Sequence, residues 1–363
     1  MEYEEKLACL RLIRTRNIGP MTYSLLIRRY GSAHSALEAI PDLAKRGGRK
    51  LIPASRSVAE QEWQTNERVG ATLVFKGNDD YPARLAQFED APPVFSIIGN
   101  KHLLHRPMIG IVGARNASIN AQRHAEVLAE ALTTEGYVIS SGLARGIDTA
   151  VHNGALAGGT IAVVAGGIDI IYPPENEDLY HAISERGAVI AEMPPGTNPT
   201  PRLFPTRNRI IAGMALGVVV VEAAERSGSL ITAREAAERG AEVMAIPGSP
   251  LDPRSAGCNH LIREGATLVQ NHFDIIEALS ARPPIQAPPT PPLPPANIQN
   301  GSENDIAAAR DTILNGLGAE PIEIDDLMRW CAETPACVHA AILELEIAGH
   351  LLRHRGNRVS KIL

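Results

Sequence analysis

Arg207 and Arg209 stand beside an aromatic residue in the run Phe204 to Gly213, FPTRNRIIAG, which then turns apolar through Ile210, Ile211 and Ala212. Guanidinium groups and a ring on one patch can hold phosphates and a base together. The same string also fits an ordinary helix start with solvated arginines, so its meaning depends on the rest of the chain. Met108 to Ser118, MIGIVGARNAS, reads as a buried strand and a glycine turn, with Arg115 at the strand's C-terminal end. A helix follows, with Ala125, Leu128, Ala131 and Leu132 on one face. Tyr137 to Asp148, YVISSGLARGID, repeats the arrangement: Gly142 and Gly146 give the backbone room and Arg145 supplies charge. Strand ends on one edge of an open parallel sheet bind ligands, and glycine turns and helix N-termini there expose N–H groups. The pooled chemistry is an anion site, suited to a polyphosphate or a nucleic-acid backbone.

Strands near Met108, Tyr137, Thr160, Ala188, Gly217, Glu242 and Ala266 alternate with helical patterns. That predicts an α/β fold with a Rossmann-like, doubly wound, mostly parallel sheet. Strand-like runs at 71–75 and 94–98 extend it, which sets this domain at 69–280. Residues 1–68 are helical, with a glycine turn at Ile18, Gly19 and Pro20 before an amphipathic helix. The turn resembles a helix-hairpin-helix or SAM-like module. Helical pairs of this kind also serve simply as packing units, while Arg11, Arg14, Arg16, Arg28 and Arg29 leave a phosphate-presenting role open. Residues 282–301 hold eight prolines in twenty positions, so 281–302 is expected to be a semi-extended linker. In 303–363, three helical patterns (305–317, 324–331 and 336–348) precede a hairpin, HLLRHRGNRVSKIL, and together predict a winged helix. Its recognition helix carries Glu344 and Glu346 and neither Lys nor Arg, which makes it a poor groove reader. A protein-binding or dimer-supporting role is expected instead, with Arg353, Arg355 and Arg358 as the basic cluster of the wing.

A net charge of −6 excludes a uniformly basic nucleic-acid coat. Residues 1–68 carry 12 Lys and Arg against 8 Asp and Glu, 69–280 carry 16 against 23, and 303–363 carry 6 against 10. Affinity for nucleic acid must therefore come from a local arginine cluster or from the N-terminal module. In 69–280 the only lysines are Lys76 and Lys101, a bias toward the planar, bidentate phosphate ligand. Apolar runs such as LGVVVVEAA, 216–224, fall well short of the ~20 residues of a membrane helix. MEYEEKL lacks the pattern of a signal peptide, so a cytoplasmic protein without membrane association is expected. Cys9, Cys258, Cys331 and Cys337 match no zinc spacing and read as reduced thiols; no metal is expected.

Three further groups read as structural supports. Asp148 and His152 are expected to form a buried hydrogen-bonded pair or a helix cap, not an acid–base couple, for want of an organised nucleophile. YPPEN, Tyr172 to Asn176, reads as a strand-exit turn that orders a pocket wall. SGSLITA, Ser227 to Ala233, is either an anion-binding helix start through Ser229 and Thr232 or a well-capped helix.

Taken in order, IVGAR, SGLARGID, YPPEN, FPTRNRIIAG, EAAERSGSLITA and AIPG resemble the DprA/Smf family of DNA-processing proteins. The resemblance implies a homodimeric protein that binds and protects single-stranded DNA and loads RecA recombinase during natural transformation, without catalysis or cofactor. It implies Arg115 on a DNA phosphate, Phe204 beside a base, Arg207 and Asn208 in the same motif, and Arg145 at the border. Gly113, Ser141 and Gly142 would supply backbone or hydroxyl donors. Where relatives often carry a lysine just before the phenylalanine, this chain reads TPRLF, and Arg202 is the nearest positive charge. The alternative is a phosphoribohydrolase-like Rossmann enzyme, but its PGGxGTxxE string does not occur in the chain. A dinucleotide oxidoreductase is disfavoured because the first turn reads GARNAS, not GxGxxG.

Overall fold

The computed structural model describes residues 1–281 and 302–362 apart from 332 and 355; the expected proline-rich linker and Arg355 of the wing lie outside the described residues. Two compact units form: the first 61 residues together with the C-terminal module, and the sheet domain from Glu62 onward.

The N-terminal helices are α1 (Tyr3–Arg14), α2 (Pro20–Tyr30), α3 (Ala33–Arg46) and α4 (Arg56–Arg68). Pro20 occupies the first turn of α2, where a missing N–H costs nothing, and Ser32 caps α3 by accepting from Ser35 N at 3.1 Å. Leu7, Leu10, Leu26, Ile40 and Leu43 fill the space between α1, α2 and α3.

Among the described residues the sheet domain has nine strands: β1 (Thr72–Phe75), β2 (Val94–Gly99), β3 (Met108–Gly113), β4 (Val138–Ser141), β5 (Thr160–Gly167), β6 (Ala188–Met193), β7 (Gly217–Val221), β8 (Glu242–Ala245) and β9 (Thr267–Leu268). Their order is β1-β2-β6-β5-β4-β3-β7-β8-β9. The pairs β1–β2 and β2–β6 are antiparallel and the rest parallel. Continuous apolar runs such as VVVV in β7 suit strands covered on both faces. The covering helices are α5 (Ala83–Ala86), α6 (Ile119–Thr134), α7 (Ile147–Ala155), α8 (Glu177–Arg186), α9 (Leu203–Met214), α10 (Gly228–Glu238), α11 (Ala256–Arg263) and α12 (His272–Ser280). From β3 the chain winds outward through β4 and β5 to β6, and from β7 it winds the other way. The winding reverses between β3 and β7, where Gly113 pairs with Val221 and the two C-terminal ends lie side by side.

The C-terminal module contains α13 (Glu303–Gly316), β10 (Ile322–Glu323), α14 (Ile324–Cys331), α15 (Pro335–Ile347), β11 (Leu351–His354) and β12 (Arg358–Lys361). Its strands form an antiparallel sheet in the order β10-β12-β11, completing a winged helix. The acidic groups of α15 are buried: Glu344 and Glu346 are 0 % and 3 % exposed. Glu344 accepts from Arg310 at 2.5 Å and lies 3.8 Å from Arg46 of α3, while Glu346 holds Arg353 through two bonds of 2.8 and 2.9 Å. Asn17 Nδ2 donates to Ile347 O at 3.1 Å, and Arg49 to Gly349 O at 3.2 Å. The recognition helix is thus covered by the chain's own N-terminal helices, and Arg353 drops out of the basic cluster of the wing. No described helix is long and apolar enough to cross a membrane.

Candidate nucleic-acid interface

Where the winding reverses, a cavity of about 560 Å³ opens at the C-terminal ends of β3 and β7. This is the position at which an open α/β sheet binds its ligands. Gly113 ends β3 with no room for a side chain: a Cβ would strike Val221 O and the Ile147 side chain. The turn beyond it carries Arg115, whose guanidinium carbon lies 4.9 Å above the centre of the Phe204 ring in the first turn of α9. That ring also meets Tyr172 at 5.8 Å with a 55° tilt. The end of β7 is tied to the start of α6 by Glu222, which accepts from Ser118 N at 2.8 Å and Ser118 Oγ at 2.5 Å. Glu222 adopts φ +46°, a sparsely populated backbone conformation for a side-chain-bearing residue and one that surrounding contacts must hold in place.

Arg207 follows Phe204 one helical turn later and runs inward, only 6 % exposed. Its Nη1 donates to Gly142 O at 2.5 Å and to Val163 O, and its Nε to Asn208 Oδ1 at 3.2 Å. Burial pushes its pKa down to about 10, which still leaves a cation at neutral pH under the cavity floor. A Cβ at Gly142 would occupy the space of this guanidinium. Asp148 accepts from Gly142 N at 3.1 Å and Ala144 N at 3.3 Å, clamping the second glycine turn. Burial raises its pKa, opposed by the charge of Arg207. His152 pairs through Nδ1 with Thr160 Oγ1 at 2.7 Å, and burial followed by Arg207 lowers its pKa to about 3. Asp148 and His152 are therefore buried and hydrogen-bonded as expected, but to different partners and not to each other.

Among the sequence-derived residues, Gly113, Arg115, Phe204, Arg207 and Asn208 line the cavity. Ser141 and Gly142 leave the expected donor set, because Ser141 Oγ already donates to Ile111 O at 2.6 Å and Gly142 N to Asp148. Arg145 lies outside the lining and faces Glu175 at 3.6 Å. Arg202, at the N-cap of α9, also stays outside. Arg209 goes to the core, paired with Glu192 and donating to Asp90 O. The reading from sequence did not name Asn116, Arg226 or Arg254, all of which line the cavity. Arg226 adjoins the SGS helix start and could have been found by that signal, whereas Arg254 has none and is brought in by the fold alone. Ser227 caps α10, and Ser227, Gly228, Ser229 and Thr232 form part of the wall, so the capped helix start and the cavity wall are the same residues. As for metals, Asp305, Glu333 and Cys337 bring ligand atoms within 4.8 Å of one another, but Asp305 completes the cap of α13 and Cys337 Sγ accepts from Thr334 Oγ1.

Cations, an aromatic ring and helix N-termini around a strand-end crevice give a Rossmann-like protein the chemistry of an anion site. The chain belongs to the DprA/Smf family of DNA-processing proteins. The family model for DNA recombination-mediator protein A matches residues 72–280, that for the DprA-like N-terminal HHH domain residues 3–65, and that for the DprA winged helix domain residues 286–357. The chain is similar to the DNA processing protein DprA of Streptococcus pneumoniae, at 47 % identity over 55 % of this chain and 71 % of the relative. It is also similar to protein Smf of Escherichia coli, at 34 % identity over 87 % and 84 %. Among solved structures, Streptococcus pneumoniae DprA superposes with a TM-score of 0.63 at 36 % identity, over 76 % of this chain and 98 % of that one. A Helicobacter pylori DNA processing protein A, described for its single-stranded DNA binding mode, gives 0.54 at 27 % identity over 58 % and 95 %.

Proposed function

We propose that this protein binds single-stranded DNA in the cavity between β3 and β7, without catalysis, and that as a cytoplasmic homodimer it protects incoming strands and hands them to RecA recombinase in natural transformation. The observation that carries the reading is the guanidinium of Arg115 held 4.9 Å over the Phe204 ring at the strand-end crevice. A phosphate on Arg115 brings the attached base to that ring, and a ring accepts any base, so little sequence preference follows. Gly113 and Asn208 line the cavity with these two groups, Arg226 adds a further guanidinium to the lining, and Arg254 joins it paired with Asp252 at 2.8 Å. Arg207 holds the floor in place from beneath, while Arg145 and Arg202 act outside the cavity, where a strand continues past it. The binding-only reading is supported by the lining itself: Asp148 is its one carboxylate among the described residues, it holds down the glycine turn, and no histidine or cysteine joins it.

The test is competition between single-stranded and duplex DNA of equal length at one salt concentration. Single strands should win clearly; equal competition by duplex would overturn the pocket. Affinity should fall with salt at a modest slope, because few arginines displace counterions. Arg115→Ala should weaken single-strand binding by roughly 10- to 100-fold, the value of a charge-assisted hydrogen bond, with an unchanged melting temperature. An unaffected affinity would remove Arg115 from the site. Release of free base from nucleoside monophosphates would support the phosphoribohydrolase-like alternative, and RecA filament formation on protein-coated strands tests the hand-over.

A further inference from the structure

Phe204 is not the last ring on this path. Tyr172 lies against it at 5.8 Å, tilted by 55°, yet keeps 42 % of its surface exposed and stands outside the cavity lining. Arg115, Phe204 and Tyr172 therefore form a continuous series, a cation over one ring and that ring against a second, running from the cavity to its outer rim. The mounting of Tyr172 is firm. Four residues on, Asn176 is 5 % exposed and its Nδ2 donates to Leu143 O and to Thr149 Oγ1, both at 2.9 Å, which fastens the YPPEN turn to the turn after β4 and to α7. Pro173 between them is buried. An aromatic side chain with two rotatable bonds, on a backbone held in this way, loses little freedom when a flat partner stacks on it.

We infer that Tyr172 is a second base-stacking residue, extending the single-strand footprint by one nucleotide beyond the base on Phe204. The inference rests on the single-strand reading of the cavity. The spacing suits it: rings 5.8 Å apart and inclined to each other can take successive bases of an unstacked strand, which a single ring cannot. The phenol oxygen of Tyr172 adds a donor for a phosphate or a base edge. Packing alone would explain a tyrosine buried against Phe204, but not one left nearly half open beside a cationic pocket.

The experiment compares wild type, Tyr172→Ala, Tyr172→Phe and Tyr172→Trp on fluorescein-labelled oligothymidine of increasing length. Tyr172→Ala should bind the longer strands about 5- to 150-fold more weakly, the value of one base–aromatic stack, and should stop gaining affinity one nucleotide earlier than wild type. Tyr172→Phe should stay close to wild type. In Tyr172→Trp the exposed indole should lose fluorescence when unlabelled oligothymidine binds, and should lose less on an oligonucleotide abasic throughout; a residue that only props Phe204 would not respond this way. Wild-type affinity in Tyr172→Ala, or unchanged indole emission in a Tyr172→Trp protein that holds the strand, overturns the inference while the cavity reading survives. If wild type itself fails to bind single strands, the cavity reading falls and the inference with it.

Discussion

Arg207→Ala should lower the stability of the sheet domain by about 3–5 kcal/mol and weaken DNA binding only as a consequence. The guanidinium bridges Gly142 O of the turn after β4 and Val163 O of β5, and it offsets the charge of buried Asp148. Its removal takes a charged donor from two buried carbonyls and the compensating charge from buried Asp148, which keeps its neutral donors from Gly142 N and Ala144 N. For a domain of this size each kcal/mol moves the melting temperature by about 2–4 °C, so a fall of roughly 6–20 °C is expected. Arg207→Lys should recover part of the loss, because both carbonyls accept from the single nitrogen Nη1 and an ammonium carries three donors, while the Nε bond to Asn208 is lost. Melting followed by circular dichroism, with single-strand binding measured well below the transition, decides the matter. An unchanged melting temperature with lost affinity would make Arg207 a direct ligand of the strand and not a support for the floor.

Arg207 also marks where the sequence stops being legible. The strand positions, the alternation with helices and the glycine turns follow from local patterns, and the nine strands lie where those patterns put them. Arg115 and Phe204 were legible for the same reason, since a strand-end turn and a helix start each announce themselves within a few residues. What the pattern cannot give is which arginine faces the ligand. Arg207 and Arg209 share one short motif, but the first reaches a carbonyl 65 residues away and the second one 119 residues away. Only the folded domain decides that both point inward. Ser141 and Gly142 fail as donors on the same ground, because their partners, Ile111 and Asp148, are committed by strand register and by the start of α7.

The acidic recognition helix carries the same lesson at larger scale. A helix with Glu344 and Glu346 and neither Lys nor Arg reads from sequence as a poor groove reader with a protein-binding or dimer-supporting role. The partner is the chain's own N-terminal module: α15 packs with α3 in one compact unit, and a Cβ at Gly47 would strike Glu344 O and Ala348. Covered in this way, α15 cannot enter a DNA groove, which needs an exposed helix face. The two ends of the chain are therefore expected to be coupled in stability, although hundreds of residues separate them.

Removing Arg310 should expose that coupling. Glu344 has no solvent-exposed side-chain surface, and Arg310, 16 % exposed, is its close cation, with Arg46 at 3.8 Å on the α3 side. Arg310→Ala leaves a buried carboxylate with only the more distant Arg46, a change that costs about 3–5 kcal/mol when one partner of a buried pair is lost. The unit formed by both ends of the chain should then open first, releasing α15 to proteolysis and loosening α1 to α3 with it. The double variant Arg310→Met, Glu344→Met should regain most of the loss, because apolar groups of similar volume replace a buried pair at little or no cost. Single-strand affinity measured below the transition should stay within about twofold of wild type, since every residue lining the cavity falls between Val112 and Arg254. Limited proteolysis and melting of the three proteins test this together. If Arg310→Ala is as resistant as wild type, α15 is not held by this pair; if α15 is released while α1 to α3 stay protected, the two ends fold independently and the recognition helix is free to meet another partner.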